Sequence, residues 1–262
     1  MSELMGTRGA HPKLLQRLLW AHREQRTIEL AADERPRDLD ESYATSHALV
    51  EALGLETAGA KVGANAAEGQ RMLGLAQPLW GYVLAQRCWA AEAEFAIGAA
   101  GVSVEVEWVI TLNRDLDGEG AHDRDTVRAA IAELALGIEI NRPSYSDPMR
   151  EGGLAIIADN GVHAGLVLGR SRDPRVVPLL LGLPVWLAVD AQAPRTGNAA
   201  GVGVDPVEAL IWVASDRARR GVPLRRGHRI ATGALLTCRD LHEGSTVRAG
   251  GDGGAECTLV LI

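Results

Sequence analysis

The sequence predicts an α+β protein, with helical patterns near the N-terminus and strand-forming runs over most of the remainder. Apolar residues recur at helical spacing from Pro12 to Arg26 and again from about Leu39 to Leu53. From Gly101 onward, short apolar runs bounded by turn residues dominate, which is typical of strands. The 262 residues and the 47% hydrophobic composition allow one large core, so we expect one compact unit with an N-terminal appendage.

Eight runs after Gly101 predict strands. They are Val102 to Leu112, Gly137 to Ile140, Leu154 to Ala158, Ala164 to Leu168, Leu183 to Val189, Arg229 to Leu236, Thr246 to Ala249 and Glu256 to Ile262. Two helices are expected between them, Arg124 to Leu136 and Asp205 to Arg219. The glycines of Gly250 to Gly254 predict a hairpin turn between the last two strands. Between Ala60 and Leu84 the glycines indicate a short strand, a loop and a short helix.

Charge and hydropathy narrow the class of partner. The net charge of -7 and the absence of a basic cluster give no electrostatic reason to bind nucleic acid or an anionic membrane, so a small molecule is the expected partner. The longest apolar stretch, around Val177 to Val189, is broken by Gly182 and Pro184 and falls short of the about 20 residues that a membrane span needs. The N-terminus lacks a signal-peptide pattern, so we expect a cytoplasmic protein.

Cysteine and lysine usage is informative. Cys88, Cys238 and Cys257 are widely spaced and form no CxxC pair, which argues against a disulfide framework and a thiolate zinc site. Among 27 basic residues, only Lys13 and Lys61 are lysines. Lys61 lies in an apolar, glycine-bearing stretch, and lysine can lose its proton when it is desolvated, whereas arginine cannot. Two interpretations stay open for Lys61: a chemical role, or a solvated lysine at a strand end.

Two glutamates alternate with apolar residues in the predicted strand around Val104 to Leu112. Side chains of a strand point to opposite faces in turn, so Glu105 and Glu107 project together, within about 7 Å of each other. On an exposed face they would be ordinary solvated residues. The same face continues with Val109, which indicates partial burial. Buried like charges repel each other and need to share a proton or bind a cation.

A third carboxylate, Glu139, stands alone between two isoleucines in a short predicted strand. A lone glutamate between isoleucines is usually an edge-strand residue or the partner of an arginine, and less often a functional residue. Together with Glu105 and Glu107 it suits Mg²⁺ or Mn²⁺ better than zinc, because no histidine or thiolate accompanies the three carboxylates. Such a site would leave coordination positions open for water and for a chelating substrate.

An ordered set of short motifs covers nearly the whole chain. The set is Lys61-Val62-Gly63, the loop from Leu73-Gly74 to Gly81, Glu105-Val106-Glu107 followed by Leu112-Asn113-Arg114-Asp115-Leu116, Glu139, Ala158-Asp159-Asn160 and Ala231-Thr232-Gly233-Ala234. In order and rough spacing it resembles the 2-keto-4-pentenoate hydratase / 4-oxalocrotonate decarboxylase family, a branch of the fumarylacetoacetate hydrolase superfamily. Each motif is weak, but the ordered set is specific.

The resemblance implies a mixed β-roll or distorted barrel around a metal, with an N-terminal helical α/β segment over residues 1–80 and a catalytic domain over residues 81–262. It implies that Glu105, Glu107 and Glu139 hold Mg²⁺ or Mn²⁺ and that Lys61 is catalytic. It further implies a homo-oligomer, with association to a sister hydratase or decarboxylase also open. The residues that it implies for substrate binding are Leu79, Asp159, Asn160, Thr232 and Gly233.

The implied substrate is a 2-oxo acid that chelates the metal, and both decarboxylation and addition of water pass through a dienolate that the metal would stabilise. Lys61 would polarise the C2 oxygen or move a proton, helped if burial and the cation lower its pKa. Hydratases of the family typically carry an aspartate where this chain has Leu79. An apolar residue there favours decarboxylation, because a charged carboxylate is lost as CO₂ more easily away from water.

Other departures leave the substrate open. After Ala158-Asp159-Asn160 the family usually has serines, whereas this chain has Gly161-Val162-His163, and His163 is either a new pocket residue or a structural one. Hydration remains the first alternative, and a non-catalytic metal-binding partner subunit is another. Hydrolysis of a 1,3-diketone, as in fumarylacetoacetate hydrolases, would need a histidine to activate water. The sequence shows no His-Glu or His-Asp pairing at a suitable place, which leaves only His163 and His228 for that role. No glycine motif fits a dinucleotide fold, and Gly197 to Gly203 is expected to form a loop over the pocket.

Overall fold

The computed structural model describes residues 9–98, 101–118, 122–239, 241–251 and 254–262. Its strands are β1 Thr57–Gly63, β2 Leu79–Leu84, β3 Cys88–Ala90, β4 Glu92–Phe95, β5 Ser103–Leu112, β6 Ile131–Asn141, β7 His163–Leu168, β8 Val185–Val189, β9 Arg195–Gly197, β10 Arg229–Ala231, β11 Leu236–Cys238, β12 Thr246–Gly251 and β13 Gly254–Leu261. Its α-helices are α1 Pro12–Glu24, α2 Leu39–Ala52, α3 Ala67–Leu73, α4 Arg124–Ala129, α5 Pro148–Glu151, α6 Gly153–Ala158, α7 Ala199–Val202 and α8 Pro206–Arg219. Short 3₁₀ turns cover Ala32–Glu34, Ala85–Arg87, Asn160–Val162 and Pro174–Leu179.

Over the described ranges the strands form two sheets. The larger is mixed and has eight strands, in the order β2-β1-β10-β5-β6-β7-β3, with β11 also paired to β5. The smaller has five strands in the order β4-β13-β12-β8-β9. Residues of both sheets contribute to the main hydrophobic core. The α+β class with a mixed, curled sheet is confirmed.

The N-terminal helices pack onto the sheet domain. A second apolar cluster joins Leu14 and Leu18 of α1 to Leu49 of α2, Tyr145 and Ala155. Pairing of β1 with β10 places residues 57–63 in the same sheet as β5. The expected boundary at residue 80 therefore falls inside β2, within the eight-stranded sheet. None of the helices in the part of the chain that is described is long and apolar enough to cross a membrane.

Three element predictions are wrong, each for a tertiary reason. Helix α4 ends at Ala129, and residues 131–136, predicted as helix, begin β6, because pairing with β5 buries Leu134 and Leu136. Residues 154–158, predicted as a strand, form α6, since a short apolar run fits either state and here packs against α2.

The third is the run Arg229 to Leu236, which divides into β10 and β11, with a loop between them. The remaining predicted elements are present with small changes of bounds. At the predicted hairpin turn, β12 and β13 pair antiparallel up to Gly251 and Gly254. The two residues between them, 252 and 253, lie outside the described part of the chain.

Candidate metal centre and active-site cavity

Three carboxylates converge in the middle of the eight-stranded sheet. Strands β5 and β6 are antiparallel, with Glu105 opposite Glu139 and Glu107 opposite Gly137, so all three side chains project from one face. One oxygen from each lies within 4.8 Å of the others. Glu107 and Glu139 are fully buried and Glu105 is half-buried. The structure thus brings together the three glutamates that the sequence predicts as metal ligands.

Each buried glutamate has one anchored and one open oxygen. The Oε2 atom of Glu107 accepts a hydrogen bond of 2.7 Å from the backbone N–H of Gly233. The Oε1 atom of Glu139 lies 2.7 Å from Nδ1 of His163, which donates to it when protonated. Oε1 of Glu107 and Oε2 of Glu139 are buried and have no hydrogen-bond partner among the described residues. Buried oxygens without partners are rare in proteins, and converging open oxygens fit a hard divalent cation.

The loop between β10 and β11 provides the anchor for Glu107. Gly233 has φ of 109°, a backbone conformation that residues with a side chain rarely adopt. A Cβ atom at this position would lie 2.2 Å from Nδ2 of Asn65, which donates to the carbonyl of Thr232 at 2.6 Å. Glycine is therefore required here, because the loop must turn its N–H toward Glu107 while it passes close to Asn65.

The carboxylates repel one another electrostatically. Burial raises the pKa of Glu107 well above its ordinary value, and the charges of Glu139 and Glu105 add to this effect. Burial also raises the pKa of Glu105. Burial acts in the same direction on Glu139, but Lys61 and the contact with His163 outweigh it, so the pKa of Glu139 is lowered. A divalent cation would remove this repulsion by neutralising the negative charge.

Lys61 lies beside the glutamates rather than in solvent. Its side chain projects from β1 and is only 4% exposed, so the interpretation as a solvated lysine is wrong. The Nζ atom lies 3.5 Å from Oε1 of Glu139 and 3.4 Å from Oδ1 of Asn141. Burial acts to lower the pKa of Lys61, but the three glutamates outweigh it and raise this pKa above its ordinary value. Lys61 is therefore a protonated donor at the edge of the cluster.

A cavity of about 480 Å³ opens beside Lys61 and Glu105. Its walls are mainly apolar, and the larger apolar side chains are Leu73, Leu79, Met149, Ile156, Val162 and Val204. Leu79 is nearly fully buried. The segment predicted as a loop over the pocket includes the short helix α7, and its Val202 lines the cavity. This volume is ordinary for a site that binds a small molecule.

Of the five residues expected to bind substrate, Leu79 and Gly233 line the cavity. Asp159, Asn160 and Thr232 do not line it, because their side chains have partners in the protein. Asp159 accepts from the backbone N–H and hydroxyl of Ser144 and lies 2.7 Å from Nε2 of His22.

Asn160 pairs with both backbone groups of Tyr82, and the Thr232 hydroxyl donates to the carbonyl of Trp108. The side chains of Asp159, Asn160 and Thr232 therefore hold the structure behind the cavity, which corrects the expectation of direct substrate contact.

Two residues of the cluster were not assigned by sequence. Asn141 lies on β6 two residues after Glu139 and thus on the same face, a signal that strand alternation could have provided. His163 was recognised only as a departure from the family pattern. It is 2% exposed, does not line the cavity, and contacts Glu139.

Comparisons with known proteins bear on the fold and the family of the chain. No protein-family model matches the chain. Among solved structures, 4-oxalocrotonate decarboxylase from Pseudomonas putida G7, complexed with calcium and acetate, superimposes with a TM-score of 0.84 over 95% of this chain and 96% of that one, at 20% identity. The chain therefore has the same fold as that decarboxylase.

Curated relatives define the branch. The chain is 32% identical over 214 residues to the TodF product hydratase of Pseudomonas putida, covering 76% of this chain and 75% of that protein. It is 27% identical over 230 residues to 2-hydroxyhexa-2,4-dienoate hydratase of Comamonas testosteroni, covering 84% and 85%. The chain belongs to the 2-keto-4-pentenoate hydratase / 4-oxalocrotonate decarboxylase family, and it is an enzyme of the lyase type.

Proposed function

We propose that this enzyme is a Mg²⁺- or Mn²⁺-dependent decarboxylase of a vinylogous 2-oxo acid, with 4-oxalocrotonate as the reference substrate. One observation favours decarboxylation over hydration. Among the described residues that line the cavity, the ionisable side chains are Lys61, Glu105 and Arg239, and Leu79 stands where hydratases carry an acid. Glu105 belongs to the metal cluster. The cavity thus offers few groups to activate and protonate water, and Lys61 is the proton donor beside the cluster.

Glu105, Glu107 and Glu139 would hold the cation. Their oxygen-only donor set, with two buried oxygens open, favours a hard cation such as Mg²⁺ or Mn²⁺. When bound, the cation would act as a Lewis acid on the carboxylate and C2 oxygens of the substrate and stabilise negative charge there.

The chain's own residues supply the remaining requirements. Loss of CO₂ breaks the bond between the leaving carboxylate and the carbon chain, and the electron pair moves through the conjugated carbons to the C2 oxygen. Lys61, held by Glu139 and Asn141, carries a proton that it can donate to a hydrogen bond at that oxygen. Leu79, Ile156 and Val162 exclude water from the leaving carboxylate, which favours its loss as neutral CO₂.

Hydration of a 2-oxo-enoate is the second candidate, because the two curated relatives compared above are named hydratases. Hydrolysis of a 1,3-diketone is not supported, since neither His163 nor His228 is among the described residues that line the cavity. A non-catalytic metal-binding subunit remains the interpretation if metal binds without turnover. We further propose a cytoplasmic homo-oligomer, as the family resemblance implies.

The test is a paired assay with 2-hydroxymuconate/4-oxalocrotonate and with 2-hydroxypenta-2,4-dienoate, each with Mg²⁺, with Mn²⁺ and with chelator. Metal-dependent CO₂ release is the expected result. Water addition without CO₂ release would reject decarboxylation in favour of the second candidate. Silence with both compounds, together with measurable Mn²⁺ binding, would support a specialised substrate or the non-catalytic subunit.

A substitution at Leu79 tests whether the apolar cavity wall determines the reaction. Leu79→Asp places a carboxylate in the apolar wall. We expect the rate of CO₂ release to fall at least about tenfold, because one charged group in a dry site can change the reaction rate by that much. Leu79→Met keeps the wall apolar and serves as the matched control, with CO₂ release within about threefold of wild type. Equal activity of the two variants would mean that the dryness at Leu79 does not determine the reaction.

A further inference from the structure

The rim of the active-site cavity includes the one-turn helix α5. Pro148 and Met149 of this helix line the cavity, and Met149 is 42% exposed, so it lies at the mouth. We propose that Glu151, at the end of α5, is a positioning residue. Its ion pairs with Arg35 and Arg150 fix α5 and so hold Met149 against the part of a ligand that extends from the glutamate cluster to the mouth. The inference rests on the proposed function only for the binding of a 2-oxo acid at the metal.

Helix α5 is not stable on its own. It has four residues, and a helix this short forms only where tertiary contacts support it. It does not continue into α6, because Gly152 between the two helices has φ of 85° and ψ of 175°, which is not a helical conformation. The place of Met149 at the mouth therefore depends on the contacts that α5 makes with the rest of the protein.

Glu151 supplies such contacts. Its side chain is fully buried, and a buried carboxylate needs charged or hydrogen-bonding partners. The Oε2 atom pairs with Nη2 of Arg35, and the Oε1 atom lies 3.1 Å from Nη2 of Arg150. Nη1 of Arg35 also donates a hydrogen bond of 3.3 Å to the backbone carbonyl of Glu151. Arginine side chains thus hold both the carboxylate and the main chain at the end of α5.

Arg35 is the anchor that lies outside α5. It belongs to the segment between α1 and α2, and this segment is fixed to the sheet domain by the backbone N–H of Ile28, which donates to the carbonyl of Ser144 at 2.8 Å. Arg150 is part of α5 itself, and its pair with Glu29 is exposed on both sides, so that pair contributes little. The rim of the cavity is therefore tied to the N-terminal segment mainly through Arg35 and Glu151.

A buried ion pair can also serve stability alone. Replacing such a pair with apolar side chains is, however, often neutral or stabilising, so stability by itself does not explain a carboxylate buried here. Glu151 lies two residues from Met149 in the same helical turn. A shift of this turn would move the apolar side chain that faces the cavity, which favours the positioning role.

The experiment compares pyruvate with 2-oxooctanoate, which share the 2-oxo acid and differ in an apolar tail. Binding to the Mg²⁺-loaded protein is measured by calorimetry, which does not depend on turnover. Met149→Ala should weaken the binding of 2-oxooctanoate at least about fourfold, the contribution of one buried methylene group, and leave pyruvate binding unchanged. Glu151→Gln and Arg35→Met should each have the same selective effect, and Arg35→Lys, which keeps the charge, should have a smaller one.

A double variant tests whether Glu151 acts through Met149. If it does, the two effects do not add, and Glu151→Gln in a Met149→Ala background should change the affinity for 2-oxooctanoate less than about twofold. Arg225→Met is the matched control, because it removes another partly exposed ion pair, with Asp115, and it should change neither affinity. Thermal unfolding confirms that each variant is folded.

Unchanged 2-oxooctanoate binding in the folded Arg35→Met protein would overturn the inference, and this variant decides alone if Glu151→Gln does not fold. An equal loss for both probes would also overturn it, since that result is expected of a merely structural residue, as would additive effects in the double variant. Failure of the proposed function looks different, because neither probe would then depend on Mg²⁺. A failed positioning role leaves both affinities Mg²⁺-dependent.

Discussion

The contact between His163 and Glu139 provides a sharp test of the metal centre. His163 is buried, and its Nδ1 lies 2.7 Å from the Oε1 atom of a proposed ligand, a length typical of a hydrogen bond to a charged acceptor. The bond fixes one oxygen of Glu139, while the other, Oε2, is buried and has no hydrogen-bond partner among the described residues. Without it the carboxylate can rotate, so its open oxygen would no longer be held toward the other two.

Removing such a partner of a metal ligand typically reduces metal affinity 10- to 100-fold, about 1.4 to 2.8 kcal/mol. Loss of a hydrogen bond to a charged group, about 1.5 to 3 kcal/mol, gives the same range. We therefore expect His163→Ala to weaken Mn²⁺ binding by about 10- to 100-fold. The assay is titration with Mn²⁺ followed by electron paramagnetic resonance of the free ion, which does not depend on turnover.

His163→Asn is the matched variant, because its amide can donate to Glu139 from nearly the position of Nδ1. It should recover at least half of the lost binding free energy. Thermal unfolding of the metal-free proteins controls for damage to the fold, since both substitutions leave a cavity. A folded His163→Ala protein that binds Mn²⁺ within about twofold of wild type would refute the reasoning, as would an asparagine variant no better than alanine.

Three further predictions concern single side chains. Glu107→Gln should reduce Mn²⁺ affinity and metal-dependent activity at least about 100-fold, because it removes the charge of one ligand. It should not lower the melting temperature of the metal-free protein, because it removes a carboxylate whose pKa is raised by burial. Unchanged turnover at limiting Mg²⁺ would contradict the proposed metal site. Lys61→Met should lower kcat at least about 100-fold, because it removes a proton donor, while Mn²⁺ affinity should change less than about tenfold. A loss of metal binding without a loss of kcat would count against a catalytic role for Lys61. Burial lowers the pKa of His228 to about 4, and Arg217 adds to this. The unfolded chain therefore binds a proton at this residue below about pH 6.5 that the folded chain does not bind until about pH 4, so the free energy of unfolding falls as pH drops through this window. His228→Asn, whose side-chain oxygen can still accept from the backbone N–H of Arg225, should lose about 1 kcal/mol less between pH 7 and pH 5 in urea titrations, after allowance for solvent screening. Parallel pH profiles would contradict this assignment.

Sequence by itself determined the features that depend on local periodicity. Helices α1, α2 and α8 and strand β5 follow from the spacing of their apolar residues. Strand alternation was sufficient to place Glu105 and Glu107 on one face. Lysine usage singled out Lys61, and the lone charge in an apolar run singled out Glu139. Each of these inferences needs only neighbours along the chain or a pattern that the whole family shares.

Tertiary structure alone decided the features that depend on distant partners. Residues 131–136 have an apolar pattern that fits a helix, and they become strand because β5 is available to pair with them. Asp159 and Asn160 belong to a motif, but Ser144, His22 and Tyr82 occupy their polar atoms. The contact of His163 with Glu139 joins β7 to β6. Strand register and the hydrogen-bond partners of polar side chains depend on residues that are distant in the sequence. The spacing of residues within one segment does not determine them.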